Sequence, residues 1–319
     1  MDYVTKNMNL EILEEGYLLS DRHKHNCVHN HNHNHNHNHK YKYSLLKLSK
    51  GLITYDQLPD WYSNNPYIYY GYRKPELSIF KLIKSIFKLH NETFNIWSHL
   101  IGIIIFISIQ INFIIKYYNY PISSIPISLF LIGTISCFTN SVIMHTLYPH
   151  SKKCCSILCS VDYGGIFTLI FTGYIAFLHY EFYCYTKLQI IYYILLAVVG
   201  VLSFFLVCNK NYIIRSVSFL MLGLSCIVPV IHRRVFLKGN DDIIERIDIQ
   251  LYLLLGTLTV AMTGIFFYIS YIPERLHKDF FNIVFSSHQL FHVCTIIAAY
   301  LYYSALIELF DYYKFNECV

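Results

Sequence analysis

The sequence predicts an all-α membrane protein: a bundle of seven transmembrane helices with a cytosolic N-terminus and the C-terminus on the opposite side. Three observations carry that prediction. Of 319 residues, 55% are hydrophobic and only 14% charged, against about a quarter charged in a soluble domain. The charge deficit begins after residue 94, where long apolar runs follow one another with few interruptions. Tyr and Phe are abundant, at 30 and 23 residues, which suits membrane helices and their interfacial aromatic belts.

Composition also excludes. The net charge of +5 forms no basic stripe outside the region before the first span, so no nucleic-acid partner is expected. Residues 1–20 are mixed acidic and polar, without the apolar stretch of a signal peptide, so the first span is expected to direct insertion. The ten cysteines do not fall at framework spacing and are expected as reduced thiols. Cys154, Cys155 and Cys159 are expected in one short loop, where acylation is conceivable.

Taken in order, residues 1–57 form a tail of low periodicity containing the His-Asn tract from His29 to His39, a solvated insertion with nothing to pack. Residues 58–93 form a cytosolic juxtamembrane segment. Within it, 75–90 reads as a basic amphipathic helix begun by Pro75: Leu77, Ile79, Phe80, Leu82, Ile83, Ile86, Phe87 and Leu89 are apolar, and Lys81, Lys84 and Lys88 recur on the other side. Such a helix lies along a membrane surface and favours an anionic leaflet. The transmembrane domain spans 94–310, with segments at 94–117, 123–148, 161–182, 188–208, 215–232, 250–272 and 281–307, most of the ~20 residues a bilayer needs. The fifth is the shortest and contains Pro229, tolerated when neighbours satisfy the freed carbonyl. Residues 311–319 are a C-terminal tail. With the N-terminus inside, eleven Lys and Arg flank the spans on the cytosolic side and seven on the other, the bias that sets orientation.

Ionisable groups in membrane spans are costly and call for partners or a function. His288 and His292 are four residues apart and share one helix face. Two imidazoles so placed can grip one metal ion, and a third from another helix completes a facial trio. With the predicted topology, His145 ends the second span on the side where the third begins with Asp162 and the seventh begins with His288 and His292. Three segments thus deliver four candidate groups to one membrane level. Ser141, one turn from His145 on the same face, could bond water or substrate, or simply its own helix. His179 and His232, isolated in their spans, are expected as satisfied polar residues.

Several blocks, in order and spacing, resemble the progestin and adiponectin receptor family, and within it the adiponectin receptors. They are Leu58-Pro59-Asp60-Trp61, Gly71-Tyr72-Arg73, His90-Asn91-Glu92-Thr93-Phe94-Asn95-Ile96-Trp97-Ser98-His99-Leu100, Ser141 to His145, Val161-Asp162-Tyr163-Gly164-Gly165-Ile166, Ile272-Pro273-Glu274-Arg275 and Ser287-His288-Gln289-Leu290-Phe291-His292-Val293. The resemblance runs from about Leu58 to Phe310. It implies a zinc ion held by His145, His288 and His292, with Asp162 acting through a zinc-bound water and Ser141 in the same constellation. The same pattern is shared with alkaline ceramidases. Phe94 stands where a small residue is usual and Val161 where leucine is, and the N-terminal tail is unlike the family's.

Two functions follow as expectations. One is a signalling receptor of this family whose zinc site also hydrolyses a lipid amide such as ceramide, with a membrane lipid or sphingolipid as substrate. The alternative is a dedicated zinc-dependent ceramidase without a receptor role. The extracellular ligand, homodimer formation and the choice between plasma membrane and endomembrane are left open by the residues. A transporter is disfavoured by the lack of an internal repeat.

Overall fold

The computed structural model describes residues 51–62, 65–207, 212–236, 241–277 and 280–314. The His-Asn tract lies outside these residues, as do Cys208 and the orientation-setting Lys210, Lys238 and Lys278.

Among the described residues, seven helices are long and apolar enough to cross a membrane. The first two are α2 (Thr93–Lys116) and α3 (Ile125–Leu147), close to the predicted bounds. The third, α4 (Lys152–Glu181), begins nine residues before its predicted start at 161. Cys154, Cys155 and Cys159 therefore lie on helix, not in a loop. The reason is local: the Ser151 hydroxyl accepts the Cys154 N–H at 3.2 Å as an N-cap, and no Gly or Pro falls between Lys152 and Val161. The fourth span is α5 (Thr186–Val207).

The fifth span is broken into α6 (Tyr212–Leu224) and α7 (Ile227–Phe236). Pro229 supplies no N–H to the Ser225 carbonyl one turn back. The Tyr174 hydroxyl donates to that carbonyl instead, at 2.9 Å, so a neighbouring helix satisfies the group that proline frees. The sixth, α8 (Asp241–Ser270), starts nine residues before 250. Its extra turns bury Ile243 and Ile247 one turn apart.

The seventh, α9 (Ser287–Tyr313), starts later and ends later than predicted. Residues 281–286 are loop: Phe285 sits at φ 61°, and the Asn282 side-chain oxygen accepts the Tyr69 N–H at 2.6 Å. The basic amphipathic helix is also shorter than 75–90. It is α1 (Ile79–Ser85), preceded by Glu76 at φ 61°.

The core joins α2, α3, α4 and α9 through Phe106, Phe130, Phe138, Phe177 and Phe310, each buried. Helix α3 meets α4 closely at Gly133, where an added Cβ would lie 2.2 Å from Thr172 Oγ1; small residues permit such approach between membrane helices. Outward, Ile104, Ile115, Ile132, Leu195, Val201, Phe205, Val228 and Phe266 are exposed. An apolar surface of that extent belongs against lipid rather than water.

One end of the bundle carries a small cap. Strands β1 (Leu52–Thr54) and β2 (Tyr70–Arg73) pair antiparallel, Leu52 opposite Arg73, within or beside a stretch where the sequence suggests no regular structure. Beneath them Tyr62, Ile68 and Tyr72 pack with Met144 and Tyr148 from the end of the second span. This anchors the cap beside His145.

Candidate metal centre

His145 lies in the last turn of α3, and His288 and His292 in the first two turns of α9. The four-residue spacing stacks the latter pair on one face. His288 Nε2 lies 3.2 Å from His145 Nε2 and 3.2 Å from His292 Nε2. The three histidines offer ligand atoms within 4.8 Å of one another, the only such grouping of His, Cys, Asp or Glu among the described residues.

Their outer nitrogens decide what the inner ones can do. His145 Nδ1 lies 2.8 Å from Glu92 Oε2, a carboxylate that can only accept, so the His145 proton sits on Nδ1. His292 Nδ1 faces the Asn95 carbonyl at 3.2 Å and Ser98 Oγ at 3.3 Å; the carbonyl again accepts. In the neutral imidazoles both Nε2 atoms then carry lone pairs aimed inward. Converging lone pairs repel unless a cation lies between them. Two nitrogens about 2.05 Å from a tetrahedral metal stand about 3.3 Å apart, which the observed separations match. The donor set fits a metal ion of the kind imidazole prefers.

Glu92 is half-buried and takes four donors. His145 Nδ1 and Asn95 Nδ2, the latter at 2.6 Å, reach Oε2; Asn91 Nδ2 and the Tyr148 hydroxyl reach Oε1 at 3.3 Å each. Burial alone would raise its pKa. The hydrogen bonds from His145 and Asn95 and the charge of Arg73 outweigh that and hold the carboxyl below its ordinary range. It is the carboxylate partner that metal-ligating histidines usually have. Two residues earlier, burial pushes His90 down to about 3. Its neutral ring donates from Nε2 to the Ser85 carbonyl and accepts the Glu92 N–H at Nδ1, each at 3.1 Å.

Both ligand-bearing helices are held from the cap. Arg73, 2% exposed, donates to the His145 carbonyl at 2.5 Å and the Thr146 carbonyl at 2.9 Å. Glu274, fully buried, accepts the Ser287 N–H at 2.7 Å and the Asn65 amide at 3.0 Å. That fixes the start of α9 one residue before His288.

The structure brings Ser141 and Asp162 together beside this centre. Both are buried, and the Asp162 carboxyl has the Ser141 hydroxyl and His145 as neighbours. Neither belongs to the three-histidine cluster. His232 is satisfied by the Tyr192 hydroxyl at 2.8 Å, and His179 packs edge-on against Tyr180 and Tyr183. Glu92, Asn95, Ser98, Arg73 and Glu274 were not assigned site roles from sequence. The available signal was polar residues at helical spacing where an apolar span begins. His99 shares that signal: it stacks on His292 at 3.8 Å, buried with neither ring nitrogen partnered.

Fold and site together define a multi-pass integral membrane protein with a three-histidine cluster that could hold a metal ion. Residues 87–303, about two thirds of the chain, match the family described as Haemolysin-III related. The chain is similar to "Adiponectin receptor protein" of Drosophila melanogaster, 32% identical over 83% of this chain and 61% of that one. It is also similar to "Progestin and adipoQ receptor-like protein 1" of Caenorhabditis elegans, 32% identical over 83% and 62%. A third relative is "Progestin and adipoQ receptor family member 3" of Homo sapiens, 31% identical over 84% and 88%. The chain thus spans about three fifths of the length of the fly and nematode proteins. It belongs to the Haemolysin-III-related family, which includes the progestin and adipoQ receptors, and is adiponectin-receptor-like.

Proposed function

We propose that the protein is a zinc-binding membrane receptor of this family whose metal centre also hydrolyses a lipid amide of the ceramide class. The observation that carries the reading is the convergence of three imidazoles, with His288 Nε2 standing 3.2 Å from the Nε2 atoms of both His145 and His292. The names of the fly and human relatives favour the receptor class. Zinc is the natural occupant of an all-imidazole trio, and when bound it supplies Lewis acidity and a water of lowered pKa.

The chain's own residues divide the remaining work. Glu92 fixes the tautomer and ring plane of His145. Asp162 takes a proton from water entering the centre, and the Ser141 hydroxyl donates to the acyl oxygen as charge builds there. Hydrolysis breaks the amide C–N bond, joins the water oxygen to the acyl carbon, and passes the proton to the leaving amine. A centre set among membrane helices suits a substrate with long acyl chains. In this reading the cap end faces the cytosol. The positive bias favours this, and so does Cys184 between the third and fourth spans, which is disulfide-bonded rather than the reduced thiol expected of every cysteine, the chemistry of an oxidising compartment.

The test is turnover of long-chain ceramide by purified protein, wild type beside Asp162→Asn, with zinc content read on the same samples. Turnover that disappears in the variant while zinc remains supports hydrolysis at this centre. Bound zinc without turnover in the wild type leaves a receptor with a structural metal. Turnover with no receptor-type response to any ligand would favour a dedicated hydrolase.

A further inference from the structure

Helix α1 has three sides. Leu82 and Ser85 are buried against the bundle. Ile79, Phe80, Ile83 and, just beyond the helix, Phe87 are exposed, Phe87 at 79%. Lys81 and Lys84 are exposed on a third side, set by the spacing of a helix face, and Lys88 is exposed just beyond the helix. The apolar side lies level with the start of the first span. The Trp97 indole donates to the Ile86 carbonyl at 2.9 Å, and the Phe87 and Trp97 rings meet edge-on at 6.0 Å. Tryptophan at the end of a membrane helix marks the interface. An apolar side at that depth with lysines beside it fits a leaflet carrying anionic headgroups.

Ser85 closes α1 and is tied to His145 by two routes. Arg73 Nη1 donates to Ser85 Oγ at 3.0 Å and to the Thr146 carbonyl, while Nη2 donates to the His145 carbonyl. In the other route the Ser85 carbonyl accepts from His90, His90 accepts the Glu92 N–H, and Glu92 accepts from the His145 ring. One route holds the His145 backbone and the other its imidazole. A shift of α1 therefore cannot leave the first ligand of the cluster unmoved.

We propose that α1 is a docking surface for anionic lipid, and that lipid held there tightens the metal centre through Arg73 and Glu92. The coupling rests on the metal reading above; the lipid docking does not. Linkage makes the effect reciprocal: a filled centre raises the affinity of α1 for anionic lipid. Arg73 acts as a positioning residue, since it touches His145 only through the backbone.

The experiment uses the full chain in nanodiscs of phosphatidylcholine alone or with added phosphatidylserine. Two readouts are taken: amide hydrogen exchange over residues 79–92, and the rate of zinc loss to a chelator. Anionic lipid should slow exchange and slow zinc loss, the latter on the order of fivefold or more. The triple variant Lys81→Gln, Lys84→Gln, Lys88→Gln should abolish both effects. Arg73→Lys, checked for native helicity, should keep the exchange effect and weaken the zinc effect, since the His90–Glu92 route remains; Ser85→Ala, a gentler change, should weaken the zinc effect less. Equal exchange in the two bilayers overturns the docking. Lipid-dependent exchange with equal zinc loss overturns the coupling. Absence of zinc from the wild type in both bilayers removes the metal reading and the coupling with it, leaving exchange to decide the docking.

Discussion

Replacing Glu92 with Gln removes the charge that faces His145 while keeping the side chain's size. In the wild type, Oε2 accepts from His145 Nδ1 at 2.8 Å and from Asn95 Nδ2 at 2.6 Å. The pair is well sheltered, the two side chains being 5% and 14% exposed. A glutamine has one acceptor oxygen for the donors that now converge, and its amide nitrogen meets another donor head-on. A charge-assisted hydrogen bond in such a place contributes about 1.5–3 kcal/mol. At 1.36 kcal/mol per decade, that predicts a loss of roughly 10- to 150-fold in metal affinity, in line with the usual effect of such outer partners. The assay is a chelator competition on protein in detergent, with circular dichroism to check that the helices persist. Zinc affinity within about twofold of wild type in a folded Glu92→Gln protein would refute the reasoning that this carboxylate orients His145.

Other predictions are as direct. His292→Ala should reduce zinc to background, read by elemental analysis, because it removes one of only three converging imidazoles. Tyr174→Phe leaves the Ser225 carbonyl without its hydroxyl donor and should cost about 0.5–1.5 kcal/mol, seen as a lower apparent melting temperature in micelles. His90 gives a pH dependence. Its folded-state pKa is near 3 against an ordinary 6.5, so between those values the unfolded chain binds the extra proton and stability falls as pH falls. The loss begins near pH 6.5 and reaches about 1.4 kcal/mol at pH 5.5; a His90→Gln variant should show a slope flatter by that amount in pH-dependent thermal denaturation.

Much of this molecule was legible in its residues. Long apolar runs without charge admit little besides membrane helices, and the i, i+4 spacing of His288 and His292 fixes a shared face whatever surrounds it. Helix ends were less legible where polar residues extend a span past the apolar run. The Lys-Lys-Cys-Cys start of α4 and the Asp-Asp start of α8 are helical because capping and intrahelical bonds do not need a hydrophobic sequence. The late start of α9 depends on partners remote in sequence, Tyr69 for Asn282 and Asn65 for Glu274, which periodicity cannot reveal. The same holds for the site. Its three imidazoles announce themselves by type and spacing. Glu92 and Arg73 act on His145 from 53 and 72 residues away, and only the folded cap brings them there.

His145, His288 and His292 are proposed to hold one metal ion. The measurement that tests it most directly is zinc-edge X-ray absorption with metal stoichiometry on purified protein, wild type beside His288→Ala. The expected result is one zinc per wild-type chain with an imidazole-rich shell at about 2.0–2.1 Å, and loss of that metal in the variant. Wild-type protein without bound metal, or a His288→Ala variant with an unaltered zinc shell, would contradict it.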